Sequence, residues 1–400
     1  MRSPRATAGA GPPGRVRRLR ALCLIGIVAA LTCGLWAWHE YTRPGRVHYR
    51  RGMDEAAAHQ FRQATLEWQA GVREDPTFSG CYEKLGDLGL QVGDYPDAAA
   101  SYAAAARLSP RDGTLFLRLA RAQQSAGDLP AAAASALRAT QLRPDDGGAW
   151  SLYAFLENQL KDLPAALAAL RRARQLRPDD RDDLLALANL EMDVPDMAAA
   201  ERDLTPWLKA HPDDIEACYR MGVVYSWKPR TPDNVRIGTG YAERVVATRP
   251  RDPRPYALLG QFYLDAGRPQ DALRTYLAIA PLQANDEDIL HGLVECYTRL
   301  GQSRQATAAA TRLNAVTARR DRIKHLEFIA RLNPSDIGSG LELARLQEED
   351  GQLDPAEATY RRLVRAAPHD PRTRPALATF YRRMGRGDLA RRAANPDFVP

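Results

Sequence analysis

The sequence predicts an all-α chain, a solenoid of about ten antiparallel helix hairpins of one fixed period set after one transmembrane helix. Three observations predict it. The hexapeptide QLRPDD stands at residues 141–146 and again, thirty-four positions on, at 175–180. Prolines recur at that same interval, at Pro76, Pro110, Pro144, Pro178 and Pro212. Ahead of the repeats, residues 21–38 read ALCLIGIVAALTCGLWAW without one charge. The composition agrees, being 45% apolar but only 7% aromatic, and rich in Ala and Leu, which favour helix over strand.

The chain opens with a basic segment, residues 1–20, that carries Arg2, Arg5, Arg15, Arg17, Arg18 and Arg20. The uncharged run 21–38 follows; as a helix it covers about 27 Å, close to a hydrocarbon core. Trp36 and Trp38 fall at its end, where amphipathic rings favour the interface. The arginine excess before the run predicts a cytoplasmic N-terminus and an extracytoplasmic, periplasmic-side body, although Arg43, Arg46, Arg50 and Arg51 follow on the other side. A cleaved signal peptide needs small residues at A-x-A spacing, and Leu35-Trp36-Ala37 misses it. The expectation is a signal anchor over 21–38 and a linker over 39–45.

The body, 46–394, carries the repeat. Twelve positions before the five prolines stand Ala64, Ala98, Ala132, Ala166 and Ala200. Large-small pairs stand ahead of the last four prolines at a constant distance, twice as far back: Leu85-Gly86, Leu119-Ala120, Tyr153-Ala154 and Leu187-Ala188. Turn residues lie between, as in Gly93-Asp94, Gly127-Asp128 and Lys161-Asp162. A small side chain lets a neighbouring helix approach, the turn reverses the chain, and the proline ends the second helix. One hairpin cannot bury its apolar face alone, but stacked hairpins can. After Pro212 the next proline of the series, Pro250, comes four positions late, so four extra residues are expected near 227–234, as a longer turn. The step from Gly301 to Gly351 exceeds the period by sixteen positions, which predicts an extra helix near 320–332. The last unit ends at Ala394, leaving 395–400 as a tail.

This pattern resembles the tetratricopeptide repeat family. The second unit carries it most fully, in Tyr82, Leu85, Gly86, Gly93, Tyr95, Ala98, Tyr102, Ala105 and Pro110. The resemblance implies a right-handed superhelix whose first helices line a concave face that takes up a segment of a partner protein. Groove-facing candidates inferred on that basis are Leu117, Arg121, Phe155, Asn158, Asn189 and Tyr219. Members that bind chaperone C-termini use a clamp of Lys, Asn and Arg; Glu83, Asp87, Leu117 and Arg121 do not reproduce it.

Other function classes find little support. The net charge is +7, but residues 1–50 hold nine Arg and one Glu, or +8, so 51–400 sum to −1. That removes the main electrostatic term for nucleic-acid binding, leaving only a basic end, 371–400, with seven Arg and two Asp. No HExxH, P-loop or GxSxG stands in the chain. Gly238-Thr239-Gly240 lacks the third glycine of a phosphate loop, and Gly238 falls at the close-contact position of a second helix. The acidic run at Asp179, Asp180, Asp182 and Asp183 sits where a first helix begins, so capping explains it better than calcium. Cys23, Cys33, Cys81, Cys218 and Cys296 form no CxxC and read as single buried thiols. The expectation is a membrane-anchored, non-catalytic interaction scaffold of an envelope assembly or biogenesis process. It has no cofactor, metal, small-molecule substrate or nucleic acid, and its partners are a protein segment and the membrane through 21–38. A regulatory or accessory subunit of an envelope enzyme is the first alternative, and nucleic-acid binding by the basic C-terminal tail the second.

Overall fold

The computed structural model describes residues 40–281 and 283–395, with Thr32 and Trp38. The predicted anchor, 21–38, otherwise lies outside the described residues, as do 1–20, Cys23, Cys33 and 396–400. Among the described residues no helix is long and apolar enough to cross a membrane. The predicted linker is largely helical: 40–42 are helix, and the first repeat helix already begins at Pro44.

The chain divides into two compact units, Met1–Val194 and Pro195–Pro400. In the first, hairpins follow one another: α1 (Pro44–Ala57) with α2 (Phe61–Glu74), α3 (Ser79–Val92) with α4 (Tyr95–Leu108), α5 (Gly113–Ser125) with α6 (Leu129–Leu142), and α7 (Gly147–Gln159) with α8 (Leu163–Leu176). Helix α9 (Arg181–Asp193) closes the unit against α8. Each helix packs on the one before and the one after, as stacked hairpins must. Ala64, Ala98, Ala132 and Ala166, the small residues of the second helices, are all fully buried. A small side chain there lets the neighbouring helix lie close, and at Gly86 even a Cβ would overlap the ring of Tyr102. Gly127 ends its helix at φ 84°, and Lys161 takes the same left-handed turn at φ 67° one repeat later.

The duplicated QLRPDD has a mechanical role. Its last residues, Asp146 and Asp180, accept hydrogen bonds from the N–H groups of Ala149 (3.2 Å) and Asp183 (3.0 Å) and so cap α7 and α9. Its arginines reach back one repeat. The stems of Arg143 and Arg177 lie over Gly113 and Gly147, so closely that a Cβ at either glycine would overlap them. Arg143 also pairs with Asp146 (3.0 Å), and Arg177 with Asp180 (2.8 Å) and buried Asp183 (2.6 Å). The hexapeptide is therefore both a helix cap and a fastener between successive repeats.

The second unit runs α10 (Met197–Ala210), α11 (Ile215–Trp227), α12 (Pro232–Thr248), α13 (Arg254–Asp265), α14 (Pro269–Ile279), α15 (Glu287–Arg299), α16 (Ser303–Leu332), α17 (Ile337–Glu349), α18 (Leu353–Ala366), α19 (Thr373–Arg383) and α20 (Gly387–Ala394). Ala200 is again fully buried. The fold is an all-α solenoid of helix hairpins, but two local expectations are corrected. The four extra residues near 227–234 mostly lengthen a helix: α12 has 17 residues where α4, α6, α8 and α10 have 14. Pro232 and Asp233 in its first turn, behind the Thr231 cap, start that helix early. The extra helix near 320–332 is not a separate element either. It is the second half of α16, 30 residues long, because 303–332 contains no Gly or Pro to break it. The N-terminal half of α16 packs on α15; the C-terminal half packs on α17 through Ile323, Leu326, Ala330 and Leu343.

Gly238 sits against the ring of Phe262, where a Cβ would overlap it, so its smallness serves packing. The three described cysteines, Cys81, Cys218 and Cys296, are free and buried. Burial pushes the Cys81 thiol up to about 12 and the Cys296 thiol up to about 11, which leaves both inert at neutral pH.

Candidate partner-binding groove

The six sequence candidates fall in both units. Leu117 and Arg121 lie on α5, Phe155 and Asn158 on α7, and Asn189 on α9; Tyr219 lies on α11 of the second unit. Arg121, Phe155 and Asn189 occupy one register, a full period apart, and all three are exposed, Phe155 by 47%. Leu117, Asn158 and Tyr219 are half-buried. Asp87, one register earlier than Arg121, is taken up by Lys84 (2.9 Å), Tyr102 (2.6 Å) and Arg118 (3.2 Å).

Tyr219 is a candidate that the structure places in a cavity. The space, about 590 Å³, is walled by the first helices α11, α13 and α15. From α11 come Tyr219, Val223, Ser226 and Trp227; from α13, Arg254, Ala257 and Gln261; from α15, Asp288 and His291. Tyr276 of α14 forms part of the lining beside Gly292. The guanidinium of Arg254 sits 5.2 Å from the Tyr219 ring centroid, a cation–π arrangement, and a bidentate pair with Asp252 (3.1 and 2.7 Å) fixes it there. Arg230, also in the lining, forms an ion pair with Asp265 at 2.9 Å. Burial pushes the Tyr219 hydroxyl above its ordinary range, so it stays protonated and can donate. Trp227 stands 68% exposed. The cavity thus offers aromatic faces, an amide and pre-oriented guanidinium groups, the equipment of a surface that binds a peptide.

Sequence reasoning missed Val223, Trp227, Arg254, Gln261 and His291. The signal was the register. One period beyond Asn189 stands Val223, and one period plus the four inserted residues beyond that stands Gln261. Among the described residues no group of His, Cys, Asp and Glu could hold a metal ion. The basic C-terminal end is largely engaged within the fold. Arg372 pairs with Asp370 (2.8 Å), Arg383 with Glu348 (3.0 Å), Arg386 with Glu357 (2.9 Å) and Arg391 with Asp388, while Arg374 donates to backbone carbonyls.

Glu216, one turn before Tyr219 on α11, anchors this wall. Burial alone would raise its pKa, but hydrogen bonds from Arg249 (2.8 Å) and Arg220 outweigh it and hold the carboxyl below the usual range. A carboxylate with a depressed folded pKa contributes stability above its unfolded value, and loses it as pH falls through the folded one. Thermal unfolding of the chain and of Glu216→Gln, measured from pH 7 to pH 2.5, should therefore differ at neutral pH, keep that difference through the usual glutamate range, and converge only as the pH falls below it. A gap unchanged at low pH would mean that the carboxylate charge contributes nothing.

The tetratricopeptide repeat family model matches residues 45–113, 83–146 and 117–181. Residues 45–181 are thus similar to tetratricopeptide repeats. The same hairpin architecture continues through the second unit. Superkiller complex protein 3 of Mus musculus is 36% identical over 75 residues, 19% of this chain and 4% of that protein. Cellulose synthase operon protein C of Pseudomonas fluorescens (strain SBW25) is 34% identical over 97 residues, 24% of this chain and 7% of that protein. The chain thus spans only a small fraction of the length of the curated relatives it matches. Among solved structures, Naa15/Naa10 bound to HypK-THB aligns over 88% of this chain and 68% of that one, with 12% identity and a TM-score of 0.46.

Proposed function

We propose that the chain is a non-catalytic interaction scaffold that holds an extended segment of a partner protein along α11, α13 and α15. In this reading residues 21–38 tether it to a membrane, with the N-terminus cytoplasmic and the repeats on the extracytoplasmic side, where it organises an envelope assembly or biogenesis step. The observation that carries the binding site is the cavity walled by three successive first helices, with Tyr219 and exposed Trp227 among its aromatic residues. Buried aromatics are the side chains that most often dominate binding energy at protein interfaces. The tether rests on the uncharged run 21–38 and the arginines before it.

The test places a photo-crosslinking residue at Trp227 of the full-length chain in its own membranes, with a second at exposed Arg304 of α16 as control. A discrete crosslinked protein is expected at 227 and not at 304. Its yield should fall about tenfold when Tyr219 is changed to Ala in the same chain. A crosslink indifferent to Tyr219→Ala, or the same partners from both positions, would defeat the groove reading. Protease added outside the intact cytoplasmic membrane should cleave the repeats; full protection would overturn the orientation.

A further inference from the structure

A second cavity lies between the second helices α10 and α12, a surface the groove does not use. It is an open hollow of about 450 Å³ lined by Thr205, Leu208 and Lys209 of α10, by Pro212, and by Arg236, Ile237, Gly240, Tyr241 and Arg244 of α12. Three of those residues are cations and none is a carboxylate. That imbalance stands out in this part of the chain. The neighbouring Arg230, Arg249, Arg254 and Arg268 each have a carboxylate close by: Asp265 at 2.9, Glu216 at 2.8, Asp252 at 2.7 and Asp271 at 2.6 Å. Lys209 and Arg244 have no carboxylate partner among the described residues. Arg236 reaches only Asp233 at 3.4 Å, with both side chains mostly in solvent. The nearby Glu201 is already occupied by Lys228 (2.6 Å) and Tyr225 (3.0 Å).

Geometry favours an anion here as well as charge. The carbonyl end of α10 would repel one, but Arg244, held just beyond that end by its hydrogen bond to the Pro212 carbonyl (2.8 Å), brings a positive charge to it. The same guanidinium keeps further N–H groups for a ligand. At Gly240 a Cβ would meet nothing within 4 Å, so the wall between Arg236 and Arg244 is open backbone. Leu208 and Ile237 supply apolar surface beside the cations.

We propose that this cavity binds a phosphoryl oxyanion, with Arg244, Lys209 and Arg236 as charged donors and the Tyr241 hydroxyl as the neutral one. Guanidinium and ammonium groups lining one open space match the charge and the several acceptors of a phosphate ester. Two sources share that chemistry, a soluble phosphate compound and a phospholipid headgroup.

The experiment uses the full chain in nanodiscs of neutral phosphatidylcholine. Pyrophosphate is titrated by calorimetry at constant ionic strength, and the thermal midpoint is read in parallel after the neutral lipid is replaced in part by phosphatidylglycerol. Saturable pyrophosphate binding that weakens about tenfold in Arg244→Gln and in Lys209→Gln, but not in the remote control Arg304→Gln, is the result expected for a soluble ligand. A midpoint rise in phosphatidylglycerol that the first two variants abolish and Arg304→Gln keeps would instead assign a lipid headgroup. Neither response, or equal losses in all three variants, overturns the proposal, since the charges would then act only as a diffuse field.

Discussion

Changing Tyr276 to Ala should destabilise the second unit by about 3–5 kcal/mol, in the range for removing a large buried ring. The ring is 2% exposed and wedged between two glycines, Gly260 of α13 and Gly292 of α15, where a Cβ at either would overlap it. Around it lie Ala272, Ile279, Ile289, Leu293 and Cys296, so one side chain joins three helices. Its hydroxyl reaches only the Ala257 carbonyl, at 3.4 Å, so the loss is one of packing rather than hydrogen bonding. The converse change follows from the same geometry. Gly292→Val should cost about 1–3 kcal/mol by overpacking, and in the Tyr276→Ala background part of that cost should vanish, because the added methyls enter the space the ring has left. Repeat arrays open locally, so the reading should come from amide exchange in α13–α15 rather than from one global midpoint. Additive losses in the double variant would show that the ring and the glycine do not share one contact. Because Tyr276 and Gly292 also line the groove, Tyr276→Ala should weaken partner capture even at temperatures where the unit stays folded.

The parts of this fold that were legible in the sequence are those that a repeat enforces by geometry. Ala98, Ala132 and Ala166 stand one period apart because each faces the same close approach, and all are fully buried. What the period does not encode is where two units merge. The overlong step from Gly301 to Gly351 announces an irregularity, but not whether a turn interrupts it. The answer lies in an absence, since no Gly or Pro occurs between Ser303 and Leu332 and the helix runs through. The groove was half legible for a related reason. Tyr219 was among the residues that the family resemblance suggested, whereas Gln261 stands one period plus the four inserted residues beyond Val223, where counting in equal steps fails. Ion pairs between repeats, such as Arg177 with Asp183, join residues whose charges look like ordinary solvated surface in the sequence.

Arg320→Ala should cost about 2–4 kcal/mol, somewhat under the range for breaking a fully buried ion pair because the Arg320 side chain is itself partly exposed, and should loosen the chain where the regular stacking is interrupted. Helix α16 is about 45 Å long, enough for two 13-residue helices of about 20 Å placed end to end along it. That is how α15 and α17 lie: the residues before α15 meet the end of α17, where Asn285 donates to the Glu349 carbonyl at 3.1 Å. Arg320, in the middle of α16, holds both ends. It contacts Glu287 at 3.2 Å, Asp350 at 3.3 Å and the Asn285 carbonyl at 2.9 Å. The Asp350 side chain is only 2% exposed, and without Arg320 its ion-pair partner is Arg319, at 3.9 Å. Burial would depress the guanidinium's pKa, but Asp350 and Glu287 outweigh that and raise it, so the pairing favours the charged form. Arg320→Lys should recover only part of the loss, because one ammonium cannot reproduce the planar fork that spans three acceptors. Faster amide exchange at both 286–290 and 346–350 in Arg320→Ala is the expected signature. Exchange that rises on one side alone would mean that α15 and α17 are held independently. If the two ends do loosen together, a single arginine takes the place of the turn and helix that a regular repeat would have put between them.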